Sequence, residues 1–513
     1  MNFHRESRRD HYDVVIIGAG VGGLTAGALL SRAGLSVLVI ERHDRPGGYL
    51  HAFTRRGLVF DSAVHSVGGC AVSGPFHRRA LGMLVESLGL GEEVRFLPLD
   101  PVARLHFPDF SLDLCQGTEA LLGQLKERFP HGGKNLEAFL HLTEQVAEQA
   151  SRAACGLSGD WSVVQRYRGA TLAEVYASFL DDDRLLAVLG GLWPYLGLPP
   201  GRLSFIYWAL MFTGYVSQGA GYCQGSFQRL ADGLARVITD GEGEMMYRVD
   251  VRAIELTEGR VAGVVTANGQ RIRSRLVIAN GDLIHTVRHL LPSDHSLGRY
   301  LPRLAAMEPS LSVFVIYAAI ERADLKADGH EAFFYPHYDH DGHYQSSCRN
   351  QAQWFSITIP THTDSGLTPE GTHCLMLTTL APYEAEAAWR DLKQPLQARL
   401  MEQANDCWPG IWEGLMFSEA GTPRTMERYT LNHRGAAYGW APQPGQVGPE
   451  RPAVSTPLKG LYLAGHWSRP GGGVYGAALS GIQAAQEILG LEGQAQLWRM
   501  VAQSLRTKDA SNR

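Results

Sequence analysis

The sequence predicts an α/β protein built on a Rossmann-type dinucleotide-binding unit, and three observations carry that expectation. A β-branched run from Asp13 to Ile17 leads into Gly18-Ala19-Gly20-Val21-Gly22-Gly23. An alanine- and leucine-rich helical run follows from Leu24 to Ala33, and a second apolar run, Ser36 to Ile40, ends at Glu41.

Each piece has a physical job. Gly18 permits the tight turn, Gly20 lets the backbone approach a pyrophosphate, and Gly23 lets the helix pack close to the strand. The helix N-terminus offers free N–H groups to the anion. Gly34 stops the helix. Glu41 then stands at the end of the second strand, where a carboxylate can accept hydrogen bonds from both hydroxyls of an adenosine ribose. Among 58 glycines a bare GxGxxG would arise by chance, but strand, helix, strand and acid in register do not. Arg42, beside Glu41, can meet a 2′-phosphate, so the turn alone leaves FAD, NAD and NADP open.

Composition bounds the rest. At 513 residues, 45% hydrophobic and 19% charged, the chain can bury a large core and divide into two or more lobes. Its net charge of −5 lacks the basic excess that phosphate neutralisation needs, which excludes nucleic acid as an expected partner. Seven scattered cysteines form no CxxC pair, as suits a reducing compartment, and no apolar run follows the N-terminal arginines as a secretory signal would require. A cytoplasmic protein is expected. The stretch from Leu185 to Val216 is apolar and aromatic but broken by Pro194, Pro199, Pro200 and Arg202. It reads as two buried helices or as a greasy wall facing a substrate tunnel or a membrane. Thr118 to Phe129 predicts a helix capped by Thr118, with Leu121, Leu122 and Leu125 on one face.

Downstream of the first unit come Arg45-Pro-Gly47-Gly48-Tyr49 and Phe60-Asp61-Ser-Ala-Val-His65-Ser-Val-Gly68-Gly69. Near the other end stand Gly460-Leu-Tyr-Leu-Ala-Gly465-His466 and Pro470-Gly-Gly-Gly473-Val474-Tyr475-Gly476. Together these resemble the FAD-dependent phytoene desaturase, carotenoid (prolycopene) isomerase and retinol saturase superfamily. The resemblance implies FAD as cofactor, with Gly47, Gly48 and Tyr49 along its phosphate and ribityl chain and Gly465 at the pyrophosphate. It also places the helix N-terminus near Gly473, Val474 and Tyr475 at the pyrimidine edge of the flavin. His466 stands where the wider superfamily usually has an acid. Gly221 to Gly225, a helix from Phe227 to Thr239, and strands Met246 to Ile254, Arg260 to Thr266 and Arg271 to Ala279 resemble the return to the FAD domain, with Val251 near the adenine and Asn280 ending the last strand. The segment Ile357 to His373 resembles a substrate-lobe motif.

The implied fold is a discontinuous, GR2-like FAD-binding domain over 12–95, 220–290 and 425–490, with an interleaved α+β substrate lobe over 96–219 and 291–424. Residues 1–11 and 491–513 are left as tails. The implied activity is an FAD-dependent oxidoreductase that desaturates or saturates carbon–carbon double bonds of an apolar carotenoid or retinoid. Alternatives are a cis–trans isomerase using reduced FAD without net redox, a flavin amine oxidase, and a non-catalytic lipid carrier on the same fold.

With only one dinucleotide fingerprint present, electrons are expected to pass through the substrate, a quinone, oxygen or a separate reductase. A forty-carbon polyene would lose on the order of 30 kcal/mol by standing in water, so the substrate should come from a lipid surface, with the protein peripheral on the inner face of a membrane. Leu185 to Val216, with Phe205, Trp208 and Phe212, is the expected mouth.

The candidate catalytic residues are His65, to orient substrate or shuttle a proton, and Tyr475, beside the flavin ring; a structural hydrogen bond and a packing aromatic are their plainer readings. The histidine- and aspartate-rich run from Tyr338 to His343, with His330 and His337 nearby, has no partner cluster, so a solvated loop is expected there and no metal site. No GxSxG elbow or HExxH supports a hydrolase.

Overall fold

The computed structural model describes residues 5–71, 73–293, 296–323, 325 and 329–511, so the first four and last two residues of the expected tails lie outside the described residues. Strands Val14–Ile17, Val37–Glu41, Glu244–Tyr247, Leu276–Ala279 and Leu461–Leu463 form one parallel sheet. Val14–Ile17 lies at its centre, flanked by Val37–Glu41 on one side and Leu276–Ala279 on the other. Val14–Ile17, Val37–Glu41 and Leu276–Ala279, at and beside the centre, are nearly unbroken runs of valine, isoleucine and leucine, as suits strands buried on both faces. The helix Val21–Arg32 lies between the first two strands in sequence and packs against Gly473–Ile488, from the far end of the chain.

That packing is close because no side chain intervenes. A Cβ at Gly22 would sit 2.6 Å from the Gly465 nitrogen, and one at Gly481 would sit 2.2 Å from the Gly22 carbonyl. The two ends of the chain therefore meet backbone to backbone.

A second, seven-stranded sheet runs in the order Leu415–Gly421, Ser312–Glu321, Thr372–Ala381, Phe355–Thr358, Glu331–Phe334, Ala103–His106, Ser111–Leu114. It is antiparallel except for the pairing of Glu331–Phe334 with Ala103–His106. Its long strand Ser312–Glu321, one in from the edge, is buried at every position but the last.

Several local expectations need correction. Met246 to Ile254 is not one strand: Glu244–Tyr247 joins the parallel sheet, while Val251–Thr257 joins a separate three-stranded antiparallel sheet with Arg260–Thr266 and Arg271–Arg273. Arg271 to Ala279 likewise divides at Ser274, whose hydroxyl donates to the carbonyls of Asp13 and Leu276 and turns the chain between sheets. Thr118 is not a cap. Gly117 holds that position, and the Thr118 hydroxyl bonds Glu144 and Ser217 instead.

The run from His337 to His343 is not a solvated loop. Asp339 caps a helix, His340–Cys348, by accepting from the Gly342 N–H at 2.9 Å, and His340 and His343 are buried. Short-range helix capping outweighed the polar composition.

The expected membrane mouth is also overturned. Phe205 and Trp208 are fully buried and Phe212 is 3% exposed; all three stack within the core against Phe139 and one another. The stretch is two core helices, Asp183–Gly190 and Phe205–Phe212, joined by a proline-rich turn. Among the described residues no helix is long and apolar enough to cross a membrane. The C-terminal residues read as a tail contain the helix Gln494–Ser511, which buries Leu497, Trp498 and Val501.

Candidate functional site

A cavity of about 640 Å³ follows the edge of the parallel sheet and continues to the face of the seven-stranded sheet. At one end it is lined by Ile40, Glu41, Arg42, Val251 and Ala267. Glu41 is held by the backbone: its carboxylate accepts from the Ala19 N–H at 2.7 Å and the His43 N–H at 2.8 Å. Burial pushes its pKa up, against those two N–H donors, which favour the charge. Arg42 is turned to Asp250, 3.4 Å away.

In the middle, Gly18, Gly20, Gly22, Gly47, Gly48 and Gly465 line the cavity. Gly47 has φ +131, and a Cβ at Gly48 would sit 3.2 Å from the Gly20 Cα, so the two glycine turns face each other directly. Asn280 braces the first of them, its side-chain amide donating to the carbonyls of Gly18 and Gly20. Ala19 and Gly23 do not line the cavity; they shape the turn, Ala19 by its bond to Glu41 and Gly23 by packing on the Gly18 carbonyl.

At the far end stand Tyr49, His65, Tyr438, His466, Gly473 and Val474, facing Val313, Val315 and Met376. Both long helices that begin here, Val21–Arg32 and Gly473–Ile488, have glycine at the N-cap with no side-chain cap, so their first N–H groups are left for whatever occupies the cavity.

These features fit FAD. An acid stands at the ribose end, side-chain-free turns meet at the centre, uncapped helix ends face negative charge, and an apolar wall closes the ring end.

Tyr475, like Ala19 and Gly23, departs from the expected site. It does not line the cavity; its ring lies against Gly69, and its hydroxyl donates to the His77 carbonyl at 3.0 Å. Being on the first turn of the helix, it points along the side that packs into the core rather than toward the cradle, so it serves as a packing aromatic.

His65 does line the cavity. Its Nε2 is 3.0 Å from the Glu331 carboxylate, whose side chain is 1% exposed, and its Nδ1 is 3.2 Å from the Ala63 carbonyl. Both ring nitrogens face acceptors, which favours the imidazolium. Burial opposes that charge, but the Glu331 carboxylate outweighs it and raises the pKa; correspondingly, burial opposes the Glu331 charge and His65 with Tyr195 lowers its pKa below the usual range. Tyr195 donates to the same Glu331 oxygen at 2.5 Å, and Glu331 Oε1 is buried with no hydrogen-bond partner among the described residues.

His466 is neutral. Burial first, then the nearby Arg451, lowers its pKa to about 3, and its Nε2 meets Asn432 Oδ1 at 3.1 Å.

Sequence reading missed Glu331, Tyr195, Asp282, Asn432 and Arg451. Glu331 had a usable signal, a lone acid opening the apolar strand Glu331–Phe334. Asp282 lines the cavity and accepts from the N–H groups of His285 and His433, a contact no local pattern announces. Arg451 is fully buried and donates to the carbonyls of Gln446, His466 and Trp440. It holds the segment carrying Trp440 against the Gly465-His466 turn.

Known proteins match this arrangement. The family described as flavin containing amine oxidoreductase matches residues 21–489. The all-trans-retinol 13,14-reductase of Danio rerio is 26% identical over 88% of this chain and 82% of its own. The 4,4'-diapolycopene oxygenase of Methylomonas sp is 25% identical over 92% of this chain and 97% of its own. The chloroplastic prolycopene isomerase of Daucus carota is 25% identical over 94% and 82%. Among solved structures, an oxidoreductase from Methanosarcina mazei superimposes with a TM-score of 0.65 at 18% identity, covering 92% of this chain and 99% of that one. Putrescine oxidase superimposes with a TM-score of 0.62 at 17% identity, covering 94% and 99%. These structural likenesses bear on the fold.

Proposed function

The chain belongs to the flavin-containing amine oxidoreductase family, and from that premise we propose that it is an FAD-dependent oxidoreductase acting on carbon–carbon double bonds of an apolar polyene, a carotenoid or retinoid. One observation carries the reading: the cavity runs from the acid end at Glu41 to an apolar wall of Val313, Val315 and Met376. A polyene offers only dispersion contacts, and that wall supplies them.

When bound, the flavin supplies or takes up the electron pair. The chain's own residues position the reactants and manage protons. Glu41 holds the ribose, and Gly20, Gly48 and Gly465 admit the pyrophosphate. Val474, at the start of its helix, offers an N–H to negative charge. His65, charged and pinned by Glu331, holds a proton at the cavity wall; saturating a double bond adds two electrons and two protons, and desaturation removes them.

The domain reading we adopt assigns 12–95, 220–290 and 425–490 to the FAD lobe and 96–219 and 291–424 to the substrate lobe. Membership of the strands in the parallel and seven-stranded sheets supports it. The electron partner is a quinone, oxygen or a separate reductase; the scattered cysteines support a position in the cytoplasm, and the insolubility of a polyene supports a peripheral one on the inner face of a membrane.

A second reading is bond rotation with reduced FAD and no net oxidation, favoured by the likeness to prolycopene isomerases over nearly the whole chain. Expression in cells accumulating phytoene, prolycopene or lycopene, followed by pigment chromatography, separates these. A band at longer wavelength means desaturation, at shorter wavelength saturation, and altered retention at equal mass isomerisation. Unchanged pigments with flavin-loaded protein, together with peroxide release from amines, would overturn the polyene reading in favour of an amine oxidase.

A further inference from the structure

Beside the flavin cavity, and sharing Tyr49, Asp282 and Tyr429 with its lining, lies a larger cleft of about 1310 Å³. Its walls are the helices Pro423–Thr430 and Glu386–Cys407, the turn after Asp282, and the hairpin Ala52–Arg55 with Leu58–Asp61. Cations crowd it, although the chain as a whole is acidic at −5. Arg42, Arg45, Arg55 and Arg424 have carboxylate partners in Asp250, Asp44, Glu419 and Glu427. Arg288, Arg390, Lys393 and Arg428 also line the cleft, and among the described residues none of the four has a carboxylate within 4.0 Å.

The exposed apolar surface is in the same place. Among the described residues the large apolar side chains that stand exposed are Val59, Leu415, Met416, Tyr429 and Leu431. Tyr429 and Leu431 line the cleft. Val59 is on the hairpin whose Thr54 and Arg55 line it. Leu415 and Met416 open the strand whose Glu419 lines it, and Arg56 of the hairpin donates to the Met416 carbonyl at 3.1 Å.

We propose that this rim and cleft form the docking face for an anionic lipid surface, with Arg288, Arg390, Lys393 and Arg428 meeting headgroup phosphates and Leu415 and Met416 entering the headgroup boundary, while Tyr429 and Leu431, which also line the flavin cavity, stand between the two. The proposal rests on the polyene reading of the adjoining cavity and replaces the buried Phe205–Phe212 helix as the membrane contact. Unpaired cations alone would suit an acidic protein equally well. Exposed apolar side chains on the strand and hairpin that border the cleft favour a bilayer, where the apolar tips gain a medium that a protein's acidic face does not supply. The cleft also carries Phe53, Tyr317 and Trp389, which offer aromatic surface to a polyene leaving the bilayer.

Co-sedimentation of the flavin-loaded protein with vesicles of phosphatidylglycerol and phosphatidylcholine in equal parts tests this. Binding is expected, falling at high salt as the surface charge is screened. The combined variant Arg390→Gln, Lys393→Gln, Arg428→Gln should bind on the order of a hundredfold more weakly, because each cation near an anionic surface contributes about a fivefold factor. The variant Leu415→Ser with Met416→Ser should weaken binding at high salt, where the apolar contribution remains.

No binding by the parent protein, or equal binding by the charge variant, overturns the proposal; loss with the charge variant but not with the serine variant also overturns it, in favour of an acidic protein partner. The flavin absorbance spectrum reports that each variant is folded. Turnover of a detergent-dispersed polyene, which needs no bilayer, fails only if the polyene reading itself is wrong, so the two failures are separable.

Discussion

His65, on the wall of the flavin cavity, and Glu331, buried behind it, form a pair 3.0 Å apart, one residue from a glycine-flanked turn and the other from the opening of a strand in the seven-stranded sheet. The pair joins the flavin cradle to the substrate sheet, and Tyr195, from the turn between the two core helices, closes the arrangement.

The pair should show in stability as a function of pH. The lowered Glu331 pKa contributes stability present above its ordinary value of 4.5 and lost as pH falls through the folded value. The raised His65 pKa contributes stability present below its ordinary value of 6.5 and lost as pH rises through the folded value. Both contributions are complete between those ordinary values. The difference in denaturant midpoint between the native chain and Glu331→Gln should therefore be largest there and shrink on both sides; a difference independent of pH would mean the pair is uncharged. Glu331→Ala should cost about 3–5 kcal/mol, since it strands a buried imidazolium.

Gly22→Ala should abolish flavin retention. Its methyl would meet the Gly465 nitrogen at 2.6 Å and the Ala477 carbonyl at 2.9 Å, forcing apart the two helix ends that face the cavity. Overpacking of this kind costs about 1–3 kcal/mol in stability, but the displacement falls at the cradle itself. The flavin-to-protein absorbance ratio of purified variant measures it, with Gly91→Ala, whose methyl would meet nothing within 4 Å, as the comparison.

Arg451→Lys should behave as a damaging change. The guanidinium serves three carbonyls at 2.7 to 2.9 Å from one buried fork, and an ammonium cannot reproduce that geometry. Each carbonyl left unpaired costs about 1–3 kcal/mol. Thermal unfolding with and without added FAD should show the loss in both conditions, because the bonds are internal to the protein.

Trp208→Ala should cost about 3–5 kcal/mol as a large cavity opens in the core. Vesicle binding by the folded fraction should be unchanged, since the ring is fully buried. A variant of native stability with lost vesicle binding would restore the mouth expected from sequence.

Legibility followed range. The opening βαβ unit reads directly from Val14 to Glu41 because its turn chemistry, strand runs and helix stop are all local, and the closing motif around Gly465 and Gly473 is equally compact. Asp339 shows the limit on short scales: its cap drew a polar, histidine-rich stretch into a helix that composition alone assigns to a loop. Tyr475 shows the limit for side chains. Its place on the closing helix was readable, but which way that helix turns its first residues depends on what packs beside it, here Gly69 and His77.

By itself the amino-acid order determined the α/β class, the glycine cradle and the acid at its end, since these need only neighbouring residues and backbone geometry. Tertiary structure alone decided that Glu331 would pin His65, that Arg451 would brace the closing turn, and that Phe205, Trp208 and Phe212 would be core. It also decided where the unpaired cations and exposed apolar side chains would gather. The physical reason is that burial and charge pairing depend on residues far apart in the chain, so the same aromatic run is a surface or a core according to what folds over it.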